Sequence, residues 1–307
     1  MHVLVTGAAG FIGRAVVEKA RTAGWQVTAV VRRPAADADY IADLRHPIEG
    51  WPVPDAVIHL AGGYAGAGWR ELEASDIRIA QNLIAWGRRA GVGRWVVASA
   101  AEVYGVVRGA AGEDWPCRPV IPYGAAKLQV ERMFETADLG ELTICRLGEV
   151  YGRRGRILRE IPERLRRGFC PWPGDGNVKI SFLHVEDAAE ALVRACGATV
   201  RRGEGGCEVF NVGDAEPRTW RDFLDGVARL LGTRRAAFLP LTAARAYAVL
   251  AWSKGRLTGR PGAVTPWVMK LLTVPKVLAS THIRERLGFT PKYPGLESGL
   301  PEALREV

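Results

Sequence analysis

The sequence lacks paired cysteines, long apolar stretches and a secretory signal, and each absence excludes a class of protein. Its five cysteines are an odd number and form no C-x-x-C pair, so neither a disulfide framework nor a zinc knuckle is expected, and a reducing compartment fits best. No apolar stretch reaches the ~18–20 residues of a membrane-spanning helix. The N-terminus shows no secretory signal. We therefore expect a cytoplasmic chain with no membrane span and no metal site.

The composition is that of a globular protein with a basic surface. The chain has 307 residues, of which 48% are hydrophobic and 24% are charged, enough for two modest domains or one large α/β unit. Lysine and arginine exceed aspartate and glutamate by 42 − 33 = 9. This charge favours anionic ligands. Because the arginines are dispersed and no nucleic-acid-binding module is evident, we expect a small-molecule partner and no nucleic acid.

Short apolar runs alternate with helix-like stretches through the first two-thirds of the chain. The runs at 2–6, 26–31, 56–60 and 94–98 are apolar on both faces, as in a parallel sheet covered by helices. The pattern predicts an α/β fold: a Rossmann-like, doubly wound parallel sheet with a smaller, mainly helical C-terminal substrate-binding domain. We place the dinucleotide-binding domain at 1–150, with strands in segments 178–213 rejoining its sheet. Residues 151–177 and 214–307 form the predicted cap.

A glycine-rich turn follows the first apolar run and precedes the first helical stretch. Gly7, Gly10 and Gly13 allow the tight turn, the close approach of a pyrophosphate and the packing of helix on sheet. Phe11 and Ile12 open the helix, whose N-terminal N–H groups would face the phosphates. The spacing predicts a dinucleotide-binding loop.

Cofactor preference is predicted from the residues that follow the second run. An acidic residue there would bind the ribose 2′-hydroxyl of NAD, whereas arginine accommodates the 2′-phosphate of NADP. This chain has Arg32 and Arg33 at that point. We therefore expect NADP(H) to be preferred, with NAD(H) as the alternative.

A tyrosine and a lysine four residues apart stand at the start of a later helical stretch. Tyr123 and Lys127 share one helical face, so the phenol and the ammonium project together. A neighbouring cation favours the phenolate, which makes proton exchange easier for a group whose ordinary pKa is about 10. The pair suits proton transfer at a carbonyl or alcohol oxygen.

Many ordered segments resemble the extended short-chain dehydrogenases/reductases, also called the NAD-dependent epimerase/dehydratase family. The resemblance runs nearly end to end. Besides the 6–13 turn and the 122–127 segment, it rests on the sequences at 43–44, 59–62, 102–105, 146–152, 182–187, 210–213 and 286–289.

This resemblance implies roles for particular residues. Tyr123 would be the proton donor or acceptor, and Lys127 would hold the nicotinamide ribose. A homodimer is also expected on this basis. Further cofactor contacts are implied at Asp43, Leu44, Leu60, Ala61, Gly62, Leu147 and Val150.

Three positions depart from the family pattern. Where a serine or threonine usually polarises the substrate oxygen, this chain has Ala100; Ser99 would replace it only if a bulge shifted the strand. Nucleotide-sugar enzymes of the family commonly carry an Arg-Asp pair where this chain has Ile180 and Ser181. Of the Thr-Asp-Glu run of the dehydratases, only Glu102 is kept. The last two departures weaken a nucleotide-sugar function, whereas the loss of the hydroxyl at Ala100 predicts slow catalysis or none unless a water or another side chain replaces it.

Three functions are therefore weighed. The leading one is an NADP(H)-dependent oxidoreductase that transfers hydride to or from a carbonyl or secondary alcohol. The second is a nucleotide-sugar epimerase or dehydratase with retained NAD(P), and the third is a catalytically impaired NAD(P)-binding sensor or scaffold. A substrate of low polarity is suggested by aromatic residues near the predicted substrate position, namely Tyr64, Trp69, Trp115, Trp172, Trp220, Trp252 and Trp267.

Overall fold

The computed structural model describes residues 1–35, 38–199, 206–214, 216–258 and 265–305, in which short strands alternate with helices. The strands are β1 (His2–Thr6), β2 (Gln26–Val31), β3 (Tyr40–Ile41), β4 (Ala56–His59), β5 (Arg94–Ala100), β6 (Glu141–Leu147), β7 (Glu149–Tyr151), β8 (Pro171–Pro173), β9 (Lys179–Ile180), β10 (Phe182–His184), β11 (Cys207–Val212), β12 (Arg218–Thr219) and β13 (Ala237–Leu239).

Helices connect these strands and make up most of the C-terminal part. They are α1 (Phe11–Thr22), α2 (Trp69–Leu72), α3 (Arg78–Ala90), α4 (Pro122–Glu135), α5 (Arg156–Arg166), α6 (Val185–Gly197), α7 (Trp220–Leu231), α8 (Leu241–Thr258), α9 (Pro266–Thr273), α10 (Thr281–Leu287) and α11 (Leu296–Ala303). Within the described ranges, no helix combines the length and apolar character needed to cross a bilayer.

A seven-stranded parallel sheet forms the centre of the protein, in the order β11-β6-β5-β4-β1-β2-β3. The order reverses at β1, because β2 pairs with one side of β1 and β4 with the other. In such a sheet the carboxyl ends of the strands meet at one edge, and ligands bind where the order reverses. The predicted Rossmann-like fold is confirmed.

Side chains on the two faces of the sheet build two separate cores. Along β1, Val3 and Val5 are buried in a cluster with α1 and α6, while Leu4 is buried in a cluster with α3 and α4. This alternation follows from the two-residue period of a strand. A third cluster, which includes Phe182, Trp220 and other cap residues, lies outside the central sheet.

One strand prediction is wrong. The segment 178–183 was expected to rejoin the central sheet, but it forms two short strands, β9 paired with β12 and β10 paired with β7. The edge beyond β6 is occupied by β11, which pairs with β6 over six residues from Cys207 to Val212. The position next to β6 is therefore taken, and β9 and β10 pair with short strands outside the central sheet instead. β11 itself does rejoin the sheet as expected.

A buried ion pair fixes α4 against β6. Arg146 of β6 donates to the Glu131 carboxylate of α4, with an Nη2–Oε2 distance of 2.7 Å, and the two side chains are 7% and 1% exposed. The same guanidinium donates to the Tyr104 hydroxyl at 2.9 Å and to the Glu113 carbonyl at 3.0 Å. Tyr104 in turn donates to Asn211 of β11 at 2.8 Å. The network sets the position of α4, which carries Tyr123 in its first turn.

We expect Glu131→Leu to destabilise the protein strongly. The substitution leaves the Arg146 guanidinium buried without its counter-ion, which costs about 3–5 kcal/mol, whereas removing both charges is far better tolerated. Chemical denaturation should show a large fall in the free energy of unfolding for Glu131→Leu and recovery of much of it in Glu131→Leu/Arg146→Met.

The control is Glu163→Leu, which breaks an exposed pair with Arg167 on α5 and should leave stability nearly unchanged. Equal stabilities of Glu131→Leu and the unmodified protein would contradict a structural role for the buried pair.

Candidate active site

The predicted glycine loop is a close-packed cradle at the carboxyl end of β1. Gly7 has φ = +69°, and a side chain there would meet the Ala61 backbone nitrogen at 2.8 Å. A Cβ at Gly13 would overlap the Gly7 carbonyl oxygen, so only a glycine permits this close packing of α1 against the loop. Gly10 caps α1 without a side-chain hydrogen bond. The first N–H groups of the helix are thus left for a ligand, and a pyrophosphate fits them.

A buried threonine joins this loop to the end of β4. The Thr6 hydroxyl lies 2.8 Å from His59 Nδ1 and accepts from the backbone N–H groups of Leu60 at 3.2 Å and Ala61 at 3.3 Å. Burial lowers the pKa of His59 to about 3, so the ring is neutral and its Nδ1 accepts the Thr6 proton. The segment at 60–62 is held beside the glycine loop as a result.

Lys127 and Tyr123 lie at the start of α4, and Lys127 has a buried counter-ion. Lys127 Nζ is 3.1 Å from Asp76 Oδ1 and 5.6 Å from the centre of the Tyr123 ring. Asp76 lies in a π-helical turn, Glu73–Ile77, and also accepts from the Gly63 N–H at 2.7 Å. Such turns are rare and are frequent at functional sites.

The electrostatics of this pair differ from the expectation drawn from its spacing. Burial raises the pKa of Tyr123 to about 12; the Lys127 ammonium acts in the opposite direction without reversing the shift, and the Glu102 and Asp76 carboxylates reinforce it. Burial therefore outweighs the effect of the Lys127 ammonium, and the phenolate gains no net stabilisation. Tyr123 is a neutral phenol at neutral pH.

One cavity of about 440 Å³ brings most of the predicted site residues together. Its wall contains both the glycine loop and the Tyr123–Lys127 pair, together with residues at or directly after the carboxyl ends of β4, β5 and β6. The predicted residues that line it are Gly7, Gly10, Phe11, Ile12, Gly13, Leu60, Ser99, Tyr123, Lys127, Leu147 and Val150.

The other predicted cofactor residues lie outside this cavity wall. Arg32 and Arg33 are exposed directly after β2, two and three residues beyond Val30, whose carbonyl accepts from the Ala8 N–H of the glycine loop at 3.2 Å. Asp43 is held by Arg45, and Leu44 is buried in the core. These four residues extend away from the loop on the β2 side, where the adenosine half of a dinucleotide would lie.

The bulge that would bring Ser99 into the place of Ala100 is absent. β5 pairs with β6 in unbroken register through both positions, Ser99 opposite Arg146 and Ala100 opposite Leu147. The Ser99 hydroxyl oxygen is itself buried and has no hydrogen-bond partner among the described residues. The hydroxyl therefore does not face the open space of the cavity.

A buried lysine with two carboxylates was not anticipated from the sequence. Lys276 is 3% exposed, and its Nζ lies 2.7 Å from Glu102 Oε1 and 2.9 Å from Glu149 Oε2. Burial alone would lower the pKa of Lys276, but the two glutamates raise it, so the ammonium stays charged. Both glutamates line the cavity beside Tyr123. Their partner comes from a distant part of the chain, so no local spacing signals the cluster.

The aromatic residues suggested for substrate binding lie in different places. Tyr64 lines the cavity and is 56% exposed. Trp172 and Trp220 instead pack against each other in the third core cluster, with ring centres 5.0 Å apart. These two tryptophans stabilise the C-terminal part and do not line the cavity.

Comparison with known proteins identifies relatives along nearly the whole chain. A 3-diazoavenalumate denitrifying reductase from Streptomyces sp is 31% identical over 98% of this chain and 99% of its own length. A 2-alkyl-3-oxoalkanoate reductase from Stenotrophomonas maltophilia (strain K279a) is 26% identical over 98% and 97%. The solved structure of MoeE5 in complex with UDP-glucuronic acid and NAD is similar with a TM-score of 0.76, 29% identity and coverage of 99% and 98%.

A sequence model of the NAD dependent epimerase/dehydratase family matches residues 3–213, a range that holds the glycine loop, Tyr123 and Lys127. Together with the full-length relatives, this match confirms the resemblance drawn from the motifs. The chain belongs to the NAD dependent epimerase/dehydratase family, the extended short-chain dehydrogenases/reductases.

Proposed function

We propose that this protein is an NADP(H)-dependent oxidoreductase that reduces a carbonyl group to an alcohol. The observation that carries the proposal is the shared cavity, in which a glycine cradle and a Tyr–Lys pair face one another. A dinucleotide bound along the cradle supplies a hydride at its nicotinamide end. The residues of the chain bind it, orient it and handle the proton.

The binding roles follow from the geometry of the loop. The N-terminal N–H groups of α1 and the glycine backbone receive the pyrophosphate, and Leu147 and Val150 border the far end of the cavity. Lys127 donates to the ribose hydroxyls while Asp76 keeps the ammonium in place. We propose that the cap, 151–177 and 214–307, covers the substrate.

Proton transfer is assigned to the Tyr123 hydroxyl. Reduction of a ketone leaves negative charge on oxygen, which needs a donor in its protonated form. Tyr123 meets this need at neutral pH, because burial raises its pKa to about 12.

A nucleotide-sugar epimerase or dehydratase is the second candidate. It is supported by MoeE5, a similar protein solved with UDP-glucuronic acid and NAD. The absence of an Arg-Asp pair at 180–181 and the full-length 2-alkyl-3-oxoalkanoate reductase support the carbonyl reductase. A full-length UDP-glucose 4-epimerase from Azospirillum brasilense, 27% identical, supports the epimerase. A tightly retained cofactor together with thermal stabilisation by UDP-glucose would favour the epimerase. Cofactor binding without turnover of any tested substrate would favour the third function, a catalytically impaired NAD(P)-binding sensor or scaffold.

Replacing Tyr123 by Phe is expected to lower kcat by about 10²–10⁴, because the substitution removes the proton donor and keeps the ring. The assay is oxidation of NADPH in the presence of acetophenone, cyclohexanone and a long-chain 3-oxo acid. Affinity for NADPH, measured by calorimetry, should change less than about threefold, since the cradle is untouched.

Tyr64→Phe is the matched control, as it removes a phenol hydroxyl that lines the same cavity but is exposed. It should retain most of the activity. Unimpaired turnover by Tyr123→Phe would refute the assigned proton transfer.

The preference for NADP(H) is assigned to Arg32 and Arg33. Both are exposed beyond β2 on the side where the loop contacts Val30, and each can form charge-assisted hydrogen bonds to a 2′-phosphate. We expect Arg32→Ser/Arg33→Ser to weaken NADPH binding roughly tenfold or more and to leave NADH binding nearly unchanged in calorimetric titrations.

Arg132→Ser removes an exposed arginine from the last turn of α4 and serves as the control. Tighter binding of NADH than of NADPH by the unmodified protein would overturn this assignment without touching the role of Tyr123.

A further inference from the structure

Helix α8 has apolar side chains on its outward side as well as its inward side. Ala244 and Ala248 are buried against Met269 of α9. Tyr247, Val249 and Leu250, however, are 63%, 51% and 69% exposed. A surface helix is normally polar on its outer face, and a helix that is apolar all round is normally covered. A cluster of exposed large side chains of this kind marks a binding surface.

Helical geometry places cations on both flanks of the exposed apolar face. At 100° per residue, Ala246, Val249 and Leu250 lie opposite the buried alanines. Arg245 projects to one side of this face and Lys254 to the other, and both are exposed. An apolar strip between two basic flanks is the arrangement of helices that lie in the plane of a membrane interface.

The sequence around α8 carries charge of one sign only. Between Asp225 and Glu285 there is no acidic residue, whereas the same stretch contains seven arginines and three lysines. It also contains Trp252 and Trp267. The exposed members are Arg229, Arg234, Arg235, Arg245, Lys254 and Lys270. A second copy of this chain on the same face would bring like charges together, but a surface of anionic lipid headgroups would complement them.

We propose that α8 docks the protein peripherally onto anionic lipid bilayers, with Val249 and Leu250 in the acyl–headgroup boundary and the flanking cations on the headgroups. Tyr247 lies beyond Lys254, towards the buried side of the helix, and is not part of this strip. This attachment is independent of the proposed reaction.

Helix α8 also lies near the cavity, because α9 connects the two. Helix α9 packs on α8 through Met269. A side chain at Gly66, in the loop that carries Tyr64, would lie 3.1 Å from Val268 of α9.

Sedimentation with lipid vesicles tests this proposal on the full chain. Vesicles of phosphatidylcholine are compared with vesicles that also contain phosphatidylglycerol. We expect binding to the anionic vesicles only, weakening with added salt, and a loss of roughly tenfold or more in the partition coefficient for Val249→Ser/Leu250→Ser. The matched control is Val53→Ser, since Val53 is also exposed (57%) but lies before β4, away from α8. Melting temperature and NADPH affinity verify that each variant is folded.

Several outcomes would overturn the proposal. One is equal binding of the unmodified protein and the double variant to anionic vesicles, and another is no vesicle binding at all. If light scattering shows an oligomer that the double variant dissociates, and vesicles bind neither form, the face is an interface between copies of the chain.

Discussion

The buried contact between Lys127 and Asp76 is the interaction on which the rest of the site depends. It joins three elements that are distant in sequence: α4, the π-helical turn and the loop at 62–63. Burial would lower the pKa of Lys127, but the Asp76 carboxylate raises it, and Lys127 together with the Gly63 N–H keeps the pKa of Asp76 below its ordinary value. Each charge is therefore stable only because the other is present. Tyr123, one helical turn before Lys127, takes its position from this pair.

Burial is the main reason that Tyr123 holds its proton, and the same contact limits the opposing effect of the Lys127 ammonium. An uncompensated ammonium close to the phenol would favour the phenolate. Asp76 offsets that field, and Glu102 and Glu149 line the same cavity with Lys276 between them. The region next to the phenol is thus rich in paired charges and has little net positive potential. A neutral phenol in such a setting is suited to protonate an oxygen on which negative charge develops.

Local patterns were sufficient to predict five of the seven strands of the central sheet, β1, β2, β4, β5 and β11, because each is an apolar run followed by a turn. β3 and β6 were not predicted. Local patterns were also sufficient to predict the glycine loop and the Tyr–Lys pair. The loop is recognised from the spacing of its glycines within one turn, and the pair from its four-residue spacing on one helix. Asp76, Lys276 and the pairing of β10 with β7 could not be predicted in this way. They depend on partners brought together only by the fold. The net rise in the pKa of Tyr123 could not be predicted for the same reason, since spacing reveals neither burial nor the counter-ion.

A crystal structure of the protein with NADPH tests the central claim most directly. We expect the pyrophosphate to lie at the N-terminus of α1 and the nicotinamide ring to lie beside the Tyr123 hydroxyl. Lys127 should form a hydrogen bond with the adjoining ribose. A dinucleotide bound away from the glycine cradle, or a nicotinamide ring remote from Tyr123, would contradict this claim.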